Sequence, residues 1–224
     1  MVSRKVIFWD VDTQADFVLP GGKLYVPGAE KLLPNLTLLA GAARAGRVFM
    51  VSSGDAHTPE DPELRAWPPH CMRGTPGAAI VPETLTEHFF VVPNRTAAPL
   101  PAALGGFQQA ILEKQTLNVF DNPNADAVIG RLAEITDRDA EFIVFGVVTE
   151  YCVNFAAKGL LERGRRVAIV TDAIETLKPE DGRRTLDELA ARGARLTTTR
   201  EAWLCSTRLR CERVTPPTTP SPTN

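Results

Sequence analysis

Short apolar runs alternate with stretches of helical spacing along most of this 224-residue chain. Residues 6–9, 47–53, 88–92, 109–114, 140–145, 166–172 and 195–198 are brief and rich in β-branched or aromatic side chains, as buried strands are. Between them, residues 30–43 predict a helix, with Pro34 in its early turns and Gly46 as its stop. Val128, Ile129, Leu132 and Ile135 repeat at helical spacing within 125–135. Residues 150–163 and 180–192 predict two further helices, and 200–204 a last helical turn. From about Ser206 the composition turns to Thr, Pro and Ser, which predicts a disordered tail. The expected organisation is one domain over 1–204 and a tail over 205–224. Strands alternating with helices predict a three-layer α/β/α fold with a mostly parallel central sheet.

In such sheets ligands bind beyond the carboxyl ends of the strands. Chemically active side chains stand there after four of the predicted strands. The first strand runs into Asp10, Asp12 and Asp16, three acids within seven residues. The second runs into Asp55 and His57, and a Pro-rich loop leads on to Trp67 and His70. Loops of that length are commonly functional. Two imidazoles and a carboxylate suit Zn, Mn or Fe, although the same residues also cap and brace rigid loops. Residues 109–114 end in Lys114. Residues 140–145 lead into Gly146-Val147-Val148-Thr149-Glu150-Tyr151-Cys152. Thr149 is a candidate N-cap there, with Glu150 in the first turn. Cys152 would then sit in the first turn of a helix, whose free N–H groups and dipole favour a thiolate or hold an oxyanion. A lone helical Cys is more often a small buried apolar residue. Gathering at one sheet edge makes one site a better reading than four unrelated surface residues.

Composition narrows the classes. The chain is 44% hydrophobic and 23% charged, enough to bury a core, and its net charge of -2 gives no reason to expect nucleic acid or an anionic membrane. No apolar run approaches the roughly 18 residues of a membrane span. The first residues lead straight into a strand and lack a signal-peptide pattern. The four cysteines, at 71, 152, 205 and 211, have no C-x-x-C spacing, so a reducing cytoplasm is the simplest compartment.

Asp12-Thr13-Gln14-Ala15-Asp16-Phe17, Asp55-Ala56-His57, Trp67-Pro68-Pro69-His70-Cys71, Gly74-Thr75-Pro76-Gly77, Lys114 and the segment from Gly146 to Val153 occur in matching order between residue 5 and about 204. Together they resemble the isochorismatase-like cysteine hydrolases, and among these the nicotinamidases. The resemblance implies a catalytic triad of Asp12, Lys114 and Cys152. It implies a divalent metal on Asp55, His57 and His70, zinc ahead of manganese or iron, that holds a pyridine nitrogen. It implies ring packing by Phe17 and Trp67, with Phe120 on a loop that lines the substrate site. It also implies a cis peptide at Val147-Val148 that exposes the amides of Val148 and Cys152 as an oxyanion hole. The expected activity is hydrolysis of nicotinamide, and with it a place in NAD salvage.

Two departures stand out. Val148 replaces a common Ala, and residues 117–123 replace the usual aromatic and Gly-Thr after the lysine. A related amidase acting on another small carboxamide is therefore the alternative. Two His and one carboxylate also describe a non-haem iron oxygenase, which would leave Cys152 and Lys114 without a role. The expected partner is a small amide; a homo-oligomer is left open.

Overall fold

The computed structural model describes residues 4–207. Seven strands form one sheet: β1 (Arg4–Val11), β2 (Phe49–Asp55), β3 (Phe89–Val92), β4 (Gln109–Lys114), β5 (Thr136–Val147), β6 (Arg166–Glu175) and β7 (Arg195–Thr197). Their spatial order is β3-β4-β2-β1-β5-β6-β7, and every neighbouring pair is parallel. The chain starts in the middle of the sheet and builds outward to both sides. Parallel strands need crossover helices, and these cover both faces. On one face α3 (Ala125–Arg131), α4 (Asn154–Glu162) and α5 (Pro179–Ala191) pack over Ile7, Trp9 and Val144. On the other, α1 (Ala15–Val18), α2 (Leu33–Arg44) and α6 (Thr199–Thr207) pack over Phe8, Met50 and Phe145. Alternate residues of each central strand feed the two cores, which is the two-residue period of a strand buried on both sides.

Several elements differ at their ends from the expectation. β5 begins at Thr136, so the helix expected to reach Ile135 ends as α3 plus a 3-10 turn at Leu132–Glu134. Thr136 Oγ1 bonds to Leu132 O at 2.8 Å and helps close that turn. Thr149 caps no helix. Its Oγ1 donates to Glu175 O at 2.7 Å, tying β5's exit to β6, and a wide π-type turn over Thr149–Val153 precedes α4. α6 runs to Thr207, past the expected boundary at 204. The tail expected from there on otherwise lies outside the described residues.

Polar side chains enter the core beneath one end of the sheet. Asp10 is fully buried. Burial pushes its carboxyl up to about 7, against the pull of bonds from Ser52 and Thr13. A folded-state pKa above the unfolded one means that folding favours the protonated acid. The associated stability is fully present below about pH 4 and is lost as pH rises to about 7, by roughly 4 kcal/mol at most. Asp10→Asn removes that dependence. Thermal midpoints of wild type and variant should diverge in the variant's favour between about pH 4 and 7. Parallel pH curves would contradict the assignment.

Candidate active site and metal group

β4, β2, β1 and β5 are four adjacent strands, and each delivers one expected residue at its carboxyl end. Asp55 and Lys114 are direct register partners. Asp12 follows β1, and Cys152 follows β5 within the π-type turn. Asp12, Asp55, Lys114 and Cys152 are all buried. Gly146 makes the approach of β5 to β1 possible here. Its φ is 116°, and a Cβ at that position would collide with the Val11 backbone.

Lys114 is the hub. Its Nζ lies 2.5 Å from Asp55 Oδ1, 2.9 Å from Asp12 Oδ2 and 3.6 Å from Cys152 Sγ. Burial works against its charge, but Asp12, Asp55 and Cys152 outweigh that and hold it well above the usual lysine range. Burial raises Asp12, and Asp55 adds to the rise against the pull of Lys114. Burial also pushes the Cys152 thiol well up; Lys114 opposes this, while Asp12 and Asp55 reinforce it. Asp12 is in hydrogen-bonding reach of that thiol. Asp12 Oδ1 accepts from Ser53 Oγ at 2.6 Å. The resting arrangement is thus a protonated thiol facing a carboxylate of raised basicity, with a fixed ammonium beside both.

The other oxygen of Asp55 faces two imidazoles. Oδ2 lies 3.7 Å from His57 Nε2 and 3.6 Å from His70 Nε2. Their Nδ1 atoms are turned outward, to Asp61 Oδ2 at 3.2 Å and to Pro68 O at 2.7 Å. This is the outer bracing that aims metal-binding histidines. Glu63 joins them, and the four residues offer ligand atoms within 4.8 Å of one another. The buried Nε2 of His57 has no hydrogen-bond partner. Two nitrogen and two oxygen donors around an orphaned imidazole nitrogen fit a divalent ion of the Zn, Mn or Fe kind. Glu63 is absent from the sequence reading. It sits in an acidic loop, Glu60-Asp61-Pro62-Glu63, whose only signal is its position between the two histidines.

Gln14 holds Asp55 in place. Its amide accepts from Asp55 N and donates to Asp55 O, both at 2.7 Å, and so continues the β1–β2 ladder with a side chain. Asp16 ties the His70 loop down by accepting from Cys71 N at 2.7 Å and Lys23 N at 2.9 Å. Gly77 is required beside it, because a Cβ there would collide with the Asp16 carboxylate.

Phe17 lies 5.3 Å from the His70 ring. Trp67 stands edge-on to Tyr151 at 5.5 Å, and Tyr151 directly precedes Cys152. The only sequence signal of Tyr151 is its place directly before Cys152. Phe120 is not brought to this group. It packs on Trp9 at 5.8 Å and on Gly159, with the Arg163 guanidinium 3.8 Å above its ring. The Val147-Val148 peptide is cis, and the Val148 carbonyl accepts from Tyr151 N and Val153 N at 3.1 and 3.2 Å.

The model of the isochorismatase domain matches residues 7–201. The chain belongs to the isochorismatase family. It is 24% identical over 216 residues to a nicotinamidase of Escherichia coli, covering 84% of this chain and 92% of that one. It is 28% identical over 187 residues to a nicotinamidase/pyrazinamidase of Mycobacterium tuberculosis, covering 80% and 91%. Among solved structures it resembles a pyrazinamidase of Pyrococcus horikoshii in complex with zinc, with a TM-score of 0.68, 25% identity and coverage of 87% and 99%. An N-carbamoylsarcosine amidase of Thermoplasma acidophilum shares the fold, with a TM-score of 0.66, 24% identity and coverage of 87% and 96%. This member of the isochorismatase family is a hydrolase similar to these nicotinamidases.

Proposed function

We propose that the protein hydrolyses nicotinamide to nicotinic acid and ammonia through a thioester on Cys152. The observation that carries this reading is the divided carboxylate of Asp55. One oxygen serves Lys114 beside the thiol, and the other faces His57 and His70. A hydrolysis site and a candidate metal group therefore share a wall, which suits an amide carried on a nitrogen heterocycle. The named relatives and the zinc of the Pyrococcus structure support the same choice.

Asp12 takes the thiol proton, and the Cys152 thiolate attacks the carboxamide carbon. Lys114 balances the negative charge that then passes between sulfur and carboxylate. The tetrahedral oxyanion is held by the Val148 and Cys152 amides. Asp12 returns the proton to the departing nitrogen, which leaves as ammonia. It then takes a proton from water, whose oxygen attacks the thioester and releases the acid and the thiol. Phe17, Trp67 and Tyr151 flank the ring. A divalent ion on Asp55, His57, His70 and Glu63 would supply a Lewis-acid contact that orients the ring nitrogen.

His57→Ala should lose bound metal and raise KM for nicotinamide strongly, with a smaller change in kcat, as when binding is what is removed. Elemental analysis beside steady-state kinetics reads both. Full metal content in the variant, or a loss confined to kcat, would contradict the role given to His57.

A second reading is favoured by one observation. Phe120 is turned away to Gly159 and Arg163, so the loop after Lys114 brings no aromatic ring to the site from this position. Another small carboxamide would suit a pocket with that side open. An ammonia-release screen over a panel of small amides decides between the two. Oxygen uptake in the same screen would point to the oxygenase chemistry.

Among the described residues no helix is long and apolar enough to cross a membrane. We place the protein in the cytoplasm, where a reducing milieu keeps the Cys152 nucleophile as a thiol. Cys205 is disulfide-bonded and speaks the other way, and cell fractionation decides. The partner proposed is the small amide alone, with neither nucleic acid nor membrane, and a homo-oligomer is compatible.

A further inference from the structure

Asp10 lies two residues before Asp12, fully buried, and no step above uses it. Its Oδ2 accepts from Ser52 Oγ at 2.8 Å and from Thr13 Oγ1 at 3.0 Å. Each hydroxyl has one proton to give, so the direction of the surrounding bonds follows. Ser52 Oγ receives Gln109 Nε2 at 2.7 Å and passes its own proton to Asp10. Thr13 Oγ1 spends its proton on Asp10, so in its 2.6 Å contact with Thr84 Oγ1 the donor is Thr84. Two chains of donors, from β4 through β2 and from the loop at Thr84, both end on Asp10.

The bond from Asp10 to Thr13 spans Asp12. Asp12 has φ 51°, the left-handed region that a non-glycine residue occupies only when its neighbours hold it there. Thr13 is fixed on its other side, where its carbonyl accepts Val81 N at 2.9 Å. Adjacent serines of β2 serve the two acids in parallel, Ser52 on Asp10 and Ser53 on Asp12.

We propose that Asp10 is a positioning residue, which holds the Asp12 carboxylate at the Cys152 thiol by anchoring Thr13 and Ser52 beneath it. The proposal rests on the reading of Asp12 as the proton carrier. It also predicts a pH signature. The groups bonded to Asp10 from β2, β4 and the loop are the neutral Ser52, Thr13 and, behind them, Gln109 and Thr84; the charged group facing it is Asp12. Below about pH 7 Asp10 is a neutral acid with its proton on Oδ1, which has no hydrogen-bond partner, so Oδ2 still accepts both hydroxyls. Above that pH, a negative charge beneath Asp12 makes Asp12 release its proton to the leaving nitrogen less readily and opposes the thiolate. The rate should fall as Asp10 ionises.

The test uses full-length, metal-loaded protein and the amide that wild type hydrolyses fastest, so an error in the substrate assignment leaves it intact. Asp10→Ala and Thr13→Val should each lower kcat by at least about 10-fold with KM unchanged, since small misplacements of a reacting group are costly. The double variant should be no slower than Asp10→Ala, because both act on one path. Asp10→Asn keeps an acceptor for both hydroxyls. It should retain most of the activity at about pH 6 and lack the wild-type fall between about pH 6 and 8. Wild-type kcat in Thr13→Val or Asp10→Ala, losses that multiply in the double variant, or an Asp10→Asn profile superposing on wild type would each overturn the proposal. If Asp10→Ala fails to fold, Thr13→Val and Asp10→Asn carry the test.

Discussion

Cys152→Ala should abolish turnover while the fold stays intact. Cys152, the proposed nucleophile, is a single small side chain in a turn already closed by backbone bonds to the Val148 carbonyl, so its removal disturbs little packing. Nothing nearby can replace it, because the other free thiol among the described residues, Cys71, is buried and donates toward Gly77 O at 3.8 Å. Burial pushes the Cys71 thiol far above the usual range, and Asp55, Asp16 and Asp12 add to the rise against the pull of Lys114, which bonds to Cys152 at 3.6 Å. Of the two free thiols among the described residues, thiol-directed electrophiles should therefore add to Cys152, and the rate of addition should rise with pH, since burial and two carboxylates keep the thiol protonated. Labelling at Cys71 with Cys152 untouched, or appreciable turnover by Cys152→Ala, would remove the nucleophile from the account.

Asp12→Asn should lower kcat by at least about 10²-fold, the lower size of a general acid–base contribution. The amide keeps the shape and an acceptor for Ser53 but cannot carry a proton. It also removes an anion from Lys114, which retains Asp55. Asp16→Asn should be milder. Asp16 holds two backbone N–H groups and faces no reacting atom, so its loss loosens the His70 loop without touching the proton path. Rate measurements on the two variants rank them directly, and the reverse order would move the base from Asp12 to Asp16.

Much of the site was legible because a parallel sheet turns strand ends into a list of neighbours. Asp12, Asp55, Lys114 and Cys152 each follow a strand, and the order β4-β2-β1-β5 makes those four strands adjacent. What was not legible depends on loops and on side-chain direction. Glu63 reaches the metal group only because the loop after β2 folds back, and sequence spacing does not encode that path. Gln14 looks like a loop residue until its amide is seen pairing with the backbone of Asp55. Thr149 has the residue type of a cap, yet the turn is wide and its hydroxyl is taken by Glu175 O. Phe120 lies on the expected loop, but Gly159 leaves a gap in α4 that its ring fills. Asp10 is one of three acids close together in the sequence, and its burial and one-way bonding depend on the packed strands around it.

The central claim is that a cysteine amidase uses the group on Asp55, His57 and His70 to hold a heterocyclic nitrogen. Ammonia release from nicotinamide and from benzamide, before and after metal removal and re-addition, tests it most directly. Benzamide has the same ring shape and the same carboxamide but lacks the ring nitrogen. Fast hydrolysis of nicotinamide, slow hydrolysis of benzamide, and a metal effect confined to nicotinamide are the predicted results. Equal rates on the two amides, or full nicotinamide activity in protein shown by elemental analysis to be metal-free, would contradict it.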